Sequence, residues 1–293
     1  MTDIATPDPA MVLAMPVSPA RRSWRKFRGN RSALFGAAII VVFTLAALLA
    51  PVLPIPAPAA TDWAAVRHAP SAEHWLGTDE IGRDLLSRLI WGARASLAAG
   101  VISVAIAIAL GVPLGLVAGY FGGWIDAIVS RMTEALLAVP FLILAIALAA
   151  FLGPSLTNAM IAIGISAMPV FIRLTRGEVI NLRAEDYVEG AHAIGLPTRK
   201  ILARYILPNA LPPILVQATL TIATAIIAEA SLSFLGLGQQ PPAPSWGSML
   251  NTAKNFMTQA PWMALWPGIA IFMVVLGFNL LGDGLRDALD PRD

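Results

Sequence analysis

The chain has 293 residues, 57% of them hydrophobic and 13% charged, with a formal net charge of +2 and a mean hydropathy of +0.72. Ordinary soluble domains carry about 25% charged residues, so a soluble globular fold is excluded, and without an interleaved basic–aromatic groove nucleic acid is excluded as a partner. Cysteine is absent, which removes disulfides and thiolate metal sites.

Residues 1–20 are rich in Pro and Ala and read as a disordered tail. Six bases follow, Arg21, Arg22, Arg25, Lys26, Arg28 and Arg31, and then a charge-free run that ends among Pro51, Pro54, Pro56 and Pro58. A helix needs roughly 20 apolar residues to cross a hydrocarbon core of about 30 Å, so 33–52 is a span. Ala57-Pro58-Ala59 looks like a cleavage site, but the apolar run is longer than the signal core of about 7–15 residues. Residues 54–94 form an external connection. Within it Gly77–Arg94 is predicted to be an amphipathic helix lying on the membrane. Thr78 would cap it, Asp79–Arg83 and Asp84–Arg88 would pair at i,i+4, and Leu85, Leu86, Leu89, Ile90 and Trp91 would form its apolar face.

The second span is 96–118. Gly111, Gly115 and Gly119 recur on one face, a pattern that lets helices approach closely, within the subunit or at a subunit interface. The charge-free window between Glu134 and Arg173 holds 38 residues, about 57 Å as one helix, which is too long for a single crossing. Gly153-Pro154-Ser155 breaks it, predicting spans 135–152 and 156–173.

A polar loop from Asn181 to Asn209 follows. Its acids (Glu185, Asp186, Glu189) precede its bases (Arg199, Lys200, Arg204), the order the helix dipole favours. Gly195 with Leu196-Pro197 divides it into two short helices joined by a turn, with membrane re-entry marked by Pro208. A rigid helix–turn–helix can transmit force; a floppy connector cannot.

Span 210–235 contains Glu229, the one acid well inside an apolar run. An ionised residue at mid-helix costs about 2.5–3.5 kcal/mol on insertion scales, and apolar neighbours return roughly 0.3–0.6 each, so the span still inserts. Glu229 reaches the outer interface, lines a gate or pathway, or forms an ion-coupled site; for the last it has no intramembrane Lys, Arg or His partner. Gly238–Gly247 is stiffened by its prolines and serves a delivered ligand or its carrier, or is a plain connector. Span 264–283 completes six crossings. Fifteen of the twenty Lys and Arg residues then fall on the side of the N-terminal tail, which the positive-inside rule assigns, with both termini, to the cytoplasm.

No GxSxG, HExxH or paired-acid arrangement is present, and His68, His74 and His192 lack metal-ligand spacing, so no catalytic residue and no metal site is expected. There is also no GxxxxGK[ST] loop to cradle nucleotide phosphates. The chain is therefore read as no enzyme and as binding no cofactor, any work from ATP coming from other polypeptides.

Glu189 is followed by Ala191 two residues on, by Gly195 six on, and after eleven intervening residues by Leu207-Pro208. With HWLGTDEIGRDLLSRLIWGARASL (74–97), GYFGGWID (119–126) and EASLSFLGLGQQPPAPSWGSML (229–250), this resembles the inner-membrane permease subunits of dipeptide/oligopeptide-type (peptide, nickel, glutathione) bacterial ABC importers. The resemblance implies an all-α, polytopic type I importer fold, one N-terminal helix before a five-helix core. It implies that Glu189, Ala191, Gly195, Leu207 and Pro208 form the loop that docks on an ATPase. Gly190 and Tyr205 depart from that loop's pattern, which prefers Ala and an aliphatic residue there. Partners implied are membrane lipid, a second homologous permease subunit, two ATP-binding subunits that hydrolyse the ATP, and an extracytoplasmic solute-binding protein. The implied place is the bacterial inner membrane. The domains expected are a tail (1–20), an N-terminal region with the first span and the external helix (21–94), a transmembrane domain (95–284) and a C-terminal tail (285–293). An ion-coupled secondary carrier and a membrane scaffold are the alternatives.

Overall fold

A computed structural model describes residues 19–289. The tail reading of positions 1–18 and 290–293 lies outside them, whereas Pro19 and Ala20 already begin a helix. Twenty-eight-residue helices recur, and among the described residues there is no strand, only a bridge between Thr78 and Asp84.

Helix α1 (Pro19–Gly29) precedes α2 (Arg31–Leu49), the first span, whose start is capped by the Asn30 side chain accepting from Ala33 N–H at 3.1 Å. After the segment 50–84 comes α3 (Leu85–Phe121). Its 37 residues make it about 55 Å long, so it projects well beyond the hydrocarbon core. The boundary expected at 94/95 falls inside this continuous helix.

The segment before α3 differs from the amphipathic helix expected over 77–94. Gly77 and Gly82 take positive φ (82° and 80°), and Asp79 accepts from the backbone N–H of Ile81 and Arg83, closing a compact turn. Thr78 does not cap a helix; its hydroxyl donates to the Ala65 carbonyl and accepts from His68 N–H. Asp79 and Arg83 do pair, at 2.5 Å, but Arg88 turns to Asp79 at 3.4 Å. Asp84 instead caps α3, accepting from Ser87 N–H at 2.7 Å, and holds His74 at 3.0 Å. The i,i+4 charge spacing that suggested a helix surface here builds a buried knot. Burial, with Asp79 beside it, raises the Glu80 carboxyl above its ordinary range. Residues 85–94 are the largely buried start of α3, and the Leu89 carbonyl accepts from the Trp246 indole.

The third span expected over 135–152 is a bent pair, α4 (Gly123–Leu137) and α5 (Phe141–Leu152), meeting at 91°. Pro140 has no N–H and pushes Val139 out of helical geometry. Asp126 on α4, in the stretch expected to be a loop before that span, is held by a bidentate ion pair with Arg176. Helix α6 (Leu156–Arg183) follows, capped by Ser155, and runs ten residues past the predicted end at 173. The remaining long helices are α9 (Leu207–Phe234) and α11 (Trp262–Leu289), the latter continuing into the expected tail. Among the described residues five helices are long and apolar enough to cross a membrane, or six counting the bent pair as one span.

Gly111, Gly115 and Gly119 seal α3 against α6. A Cβ there would lie 2.8, 2.7 and 2.8 Å from the carbonyl oxygens of Met168, Ile172 and Arg176. These are backbone atoms that cannot rotate away. Overpacking of this kind costs about 1–3 kcal/mol or more, so Gly115→Leu is expected to lower the melting temperature and membrane abundance of the subunit severalfold. Gly177→Ala on the facing helix, where an added Cβ meets nothing within 4 Å, is the control expected to leave both unchanged.

Candidate functional site

The polar loop folds as α7 (Asp186–Ala193), a turn at Gly195, and α8 (Thr198–Ile201), which runs through a π-turn (Leu202–Ile206) into α9. Asp186 and Glu189 sit in the first turn of α7, where the dipole favours anions. Its end is a Schellman cap: Leu196 N–H donates to Ala191 O at 3.2 Å, and Gly195 N–H to His192 O at 2.9 Å. That cap needs a left-handed residue, and Gly195 supplies it at φ +75°. Pro197 follows, so the helix cannot continue. On the return side Pro208 has no N–H for an i−4 bond, and Leu207 N–H reaches back five residues to Leu202 O.

The hairpin carries its own small core. Val188, Ala191, Ile201 and Ile206 are buried together against Tyr120 of α3 and Val179 of α6. Of the residues singled out in the sequence, Ala191 belongs to that core and Leu207 is half-buried, while Glu189, Gly195 and Pro208 are exposed. The two departures are accommodated: Gly190 faces open space, and half-buried Tyr205 packs in the hairpin core and accepts from Asn209 through its carbonyl at 2.6 Å. Ile194 is 75% exposed at the tip beside Gly195.

Tyr120 and His192, which tie the hairpin to α3, and Arg183, which joins α6 to α3 beside them, were not foreseen. Tyr120 Oη lies 3.2 Å from His192 Nε2, and the two rings stack. Arg183, the last residue of α6, donates to Tyr120 O at 2.8 Å and lies over its ring. No local pattern links positions 120 and 192. Burial, with Glu185 nearby, raises the Tyr187 phenol, which accepts from Asn209 at 3.3 Å.

Glu229 is enclosed rather than placed on an open surface, with no measurable exposure. Ser233 donates to its Oε1 at 2.7 Å and Ser96 of α3 to its Oε2 at 3.2 Å. Ser245 donates to Ser233 Oγ at 3.3 Å, and Trp246 N–H to Ser96 Oγ at 3.2 Å. The carboxylate therefore fastens α3, α9 and the start of α10 (Trp246–Ala253) to one another. The loop 238–247 folds against this network, Gln239 N–H donating to Ser233 Oγ at 3.0 Å. Among the described residues no group of three or more His, Asp or Glu side chains is placed to hold a metal.

Residues 111–292 match the family described as binding-protein-dependent transport system inner membrane component. Residues 18–70 match the N-terminal TM domain of oligopeptide transport permease C. The chain is 50% identical to the dipeptide transport system permease protein DppC of Alkalihalophilus pseudofirmus, across 94% of this chain and 91% of that one. It is 47% identical to the glutathione transport system permease protein GsiD of Salmonella typhimurium, across 97% and 96%. In fold it is similar to an inward-facing crystal form of the MetNI methionine ABC transporter, with a TM-score of 0.58 and 21% identity over 70% of this chain and 98% of that one.

Proposed function

We infer how this chain works from the family to which it belongs, the binding-protein-dependent transport system inner membrane components. It is an inner-membrane permease subunit of a peptide-type ABC importer, working with ATP-binding and solute-binding partners. The ion-coupled carrier alternative has no support in that kinship. The solute is a dipeptide, glutathione or a molecule of similar size, the kinds named for DppC and GsiD.

The finer proposal is mechanical. The hairpin 184–206 docks in a groove of a cytoplasmic ATPase, presenting Glu189, Ile194 and Gly195, and the assembly holds two permease subunits and two ATPases. ATP-driven closure of the ATPases draws the two hairpins together. Tyr120, His192 and Arg183 pass that displacement to α3 and α6, which move as one body because glycines seal them. The pathway then opens outward to receive solute, and hydrolysis resets it. Both termini lie on the cytoplasmic side with the hairpin. No nucleotide or other cofactor is assigned to this chain, and ATP is hydrolysed by its partners.

One observation carries the proposal: a hairpin with its own core and a stiff cap exposes a large apolar side chain, Ile194, at its tip. Such a side chain is the kind that seats in a partner's pocket. Because the chain has no cysteine, Ile194→Cys gives this subunit a unique thiol. In the assembled importer it is expected to crosslink to cysteines placed along the ATPase groove, with a yield that changes when ATP is trapped. No crosslink in either state would remove the hairpin from the interface.

A further inference from the structure

Helix α1 is not a continuation of the first span. A single residue, Asn30, separates it from α2, and Asn30 is extended (φ −88°, ψ 104°). Its side chain caps α2 and also donates to Asp287 near the end of α11, at 3.2 Å. Helix α1 itself packs against α11. It is therefore held where the first and last spans leave the apolar zone, at the depth of lipid headgroups.

The composition of the N-terminal segment is one-sided, the nearby acids Asp283 and Asp287 belonging to the end of α11. Six bases lie between Arg21 and Arg31, and no acid occurs between Asp8 and Asp62. Arg25, Arg28 and Arg31 are exposed, and among the described residues they take part in no ion pair. Trp24 and Phe27, one turn apart, stack with centroids 5.9 Å apart, and Trp24 is 60% exposed. An exposed tryptophan backed by a half-buried phenylalanine, beside a basic cluster at the end of a span, is what a headgroup layer accommodates: the ring enters the acyl boundary while the guanidinium groups meet phosphate.

We propose that α1 is an interfacial helix that binds anionic phospholipid, with Arg25, Arg28 and Arg31 supplying the charge and the Trp24–Phe27 pair the insertion. The helix thereby ties the first and last spans to the charge of the lipid surface. This surface is separate from the hairpin and does not depend on the solute or on ATP.

The test uses the assembled importer in lipid nanodiscs, with a polarity-sensitive fluorophore on Gly29→Cys, a position whose added Cβ meets nothing within 4 Å. Discs of phosphatidylcholine are compared with discs enriched in phosphatidylglycerol. In the anionic discs the label is expected to shift to the blue and to resist acrylamide quenching. High salt should reverse the effect, since at 1 M the screening length falls to about 3 Å. The double variant Arg25→Gln/Arg28→Gln should weaken the protected state about 25-fold, about fivefold for each basic residue near an anionic surface. Protection indifferent to lipid charge, or retained in the double variant, overturns the proposal. So does protection that appears in phosphatidylcholine only when the ATP-binding subunits are present, which would assign the helix to a protein partner.

Discussion

Gly195→Arg is expected to abolish solute uptake and the ATP hydrolysis that the binding protein stimulates, while the subunit still accumulates in the membrane. The substitution acts twice. At φ +75° a residue with a Cβ costs about 1–2 kcal/mol, which loosens the Schellman cap that sets the angle between α7 and α8. The new side chain also stands at the exposed tip beside Ile194, on the surface assigned to the ATPase groove. Losing a seated anchor costs about 2 kcal/mol or more, roughly a 30-fold weaker docking. Nothing within 4 Å of the position belongs to the membrane core, so folding of the spans is spared. Glu189→Lys should act in the same direction by placing a cation in the first turn of α7, against the dipole. Proteoliposome uptake and ATPase assays on the reconstituted importer check both variants. Wild-type uptake by Gly195→Arg would end the docking assignment.

The second large effect is expected on folding, at Glu229. Glu229→Leu removes the acceptor from the Ser96 and Ser233 hydroxyls, both buried. A buried donor left without a partner costs about 1–3 kcal/mol, so the loss is about 2–6 kcal/mol against a total stability of about 5–15. The purified subunit should melt at a markedly lower temperature and reach the membrane in severalfold smaller amounts. Glu229→Gln keeps an acceptor oxygen and should be much milder. Uptake measured per folded copy discriminates between structural fastening and a place on the solute route. If Glu229 is a fastener, the Gln variant transports normally once corrected for abundance. A fully folded Gln variant with no uptake would return the residue to the pathway.

The two cases differ in how much of each could be read before any folding was known. Gly195 was legible because its reason is local: a helix ending ahead of Leu-Pro requires a left-handed residue, and glycine adopts it without strain. The same is true of the polar hairpin itself and of the charge-free runs, since burying an unpaired charge in lipid is costly wherever it occurs. The Gly111–Gly115–Gly119 stripe announced a close contact, though not that α6 would meet it.

Glu229 was visible as an anomaly and illegible as a structure, because the hydroxyls of its network, Ser96, Ser233 and Ser245, lie on three separate segments. Asp79, Arg83, Asp84 and Arg88 misled for a related reason. Helical spacing is compatible with a helix surface and equally with a tight knot, and two glycines of positive φ select the knot only when the neighbouring segment 62–68 is there to receive it. The bend at Pro140 was underestimated because apolar runs were counted as straight rods.

Short-range rules of backbone strain, helix termination and desolvation thus set the spans, the hairpin and its turn from the chain alone. Which faces meet was settled only in the folded subunit: Tyr120 with His192, Asp126 with Arg176, Glu229 with Ser96. These pairings join residues 72, 50 and 133 positions apart. They depend on how long helices rotate and pack against one another, a collective outcome of close contact that no window of neighbouring residues encodes.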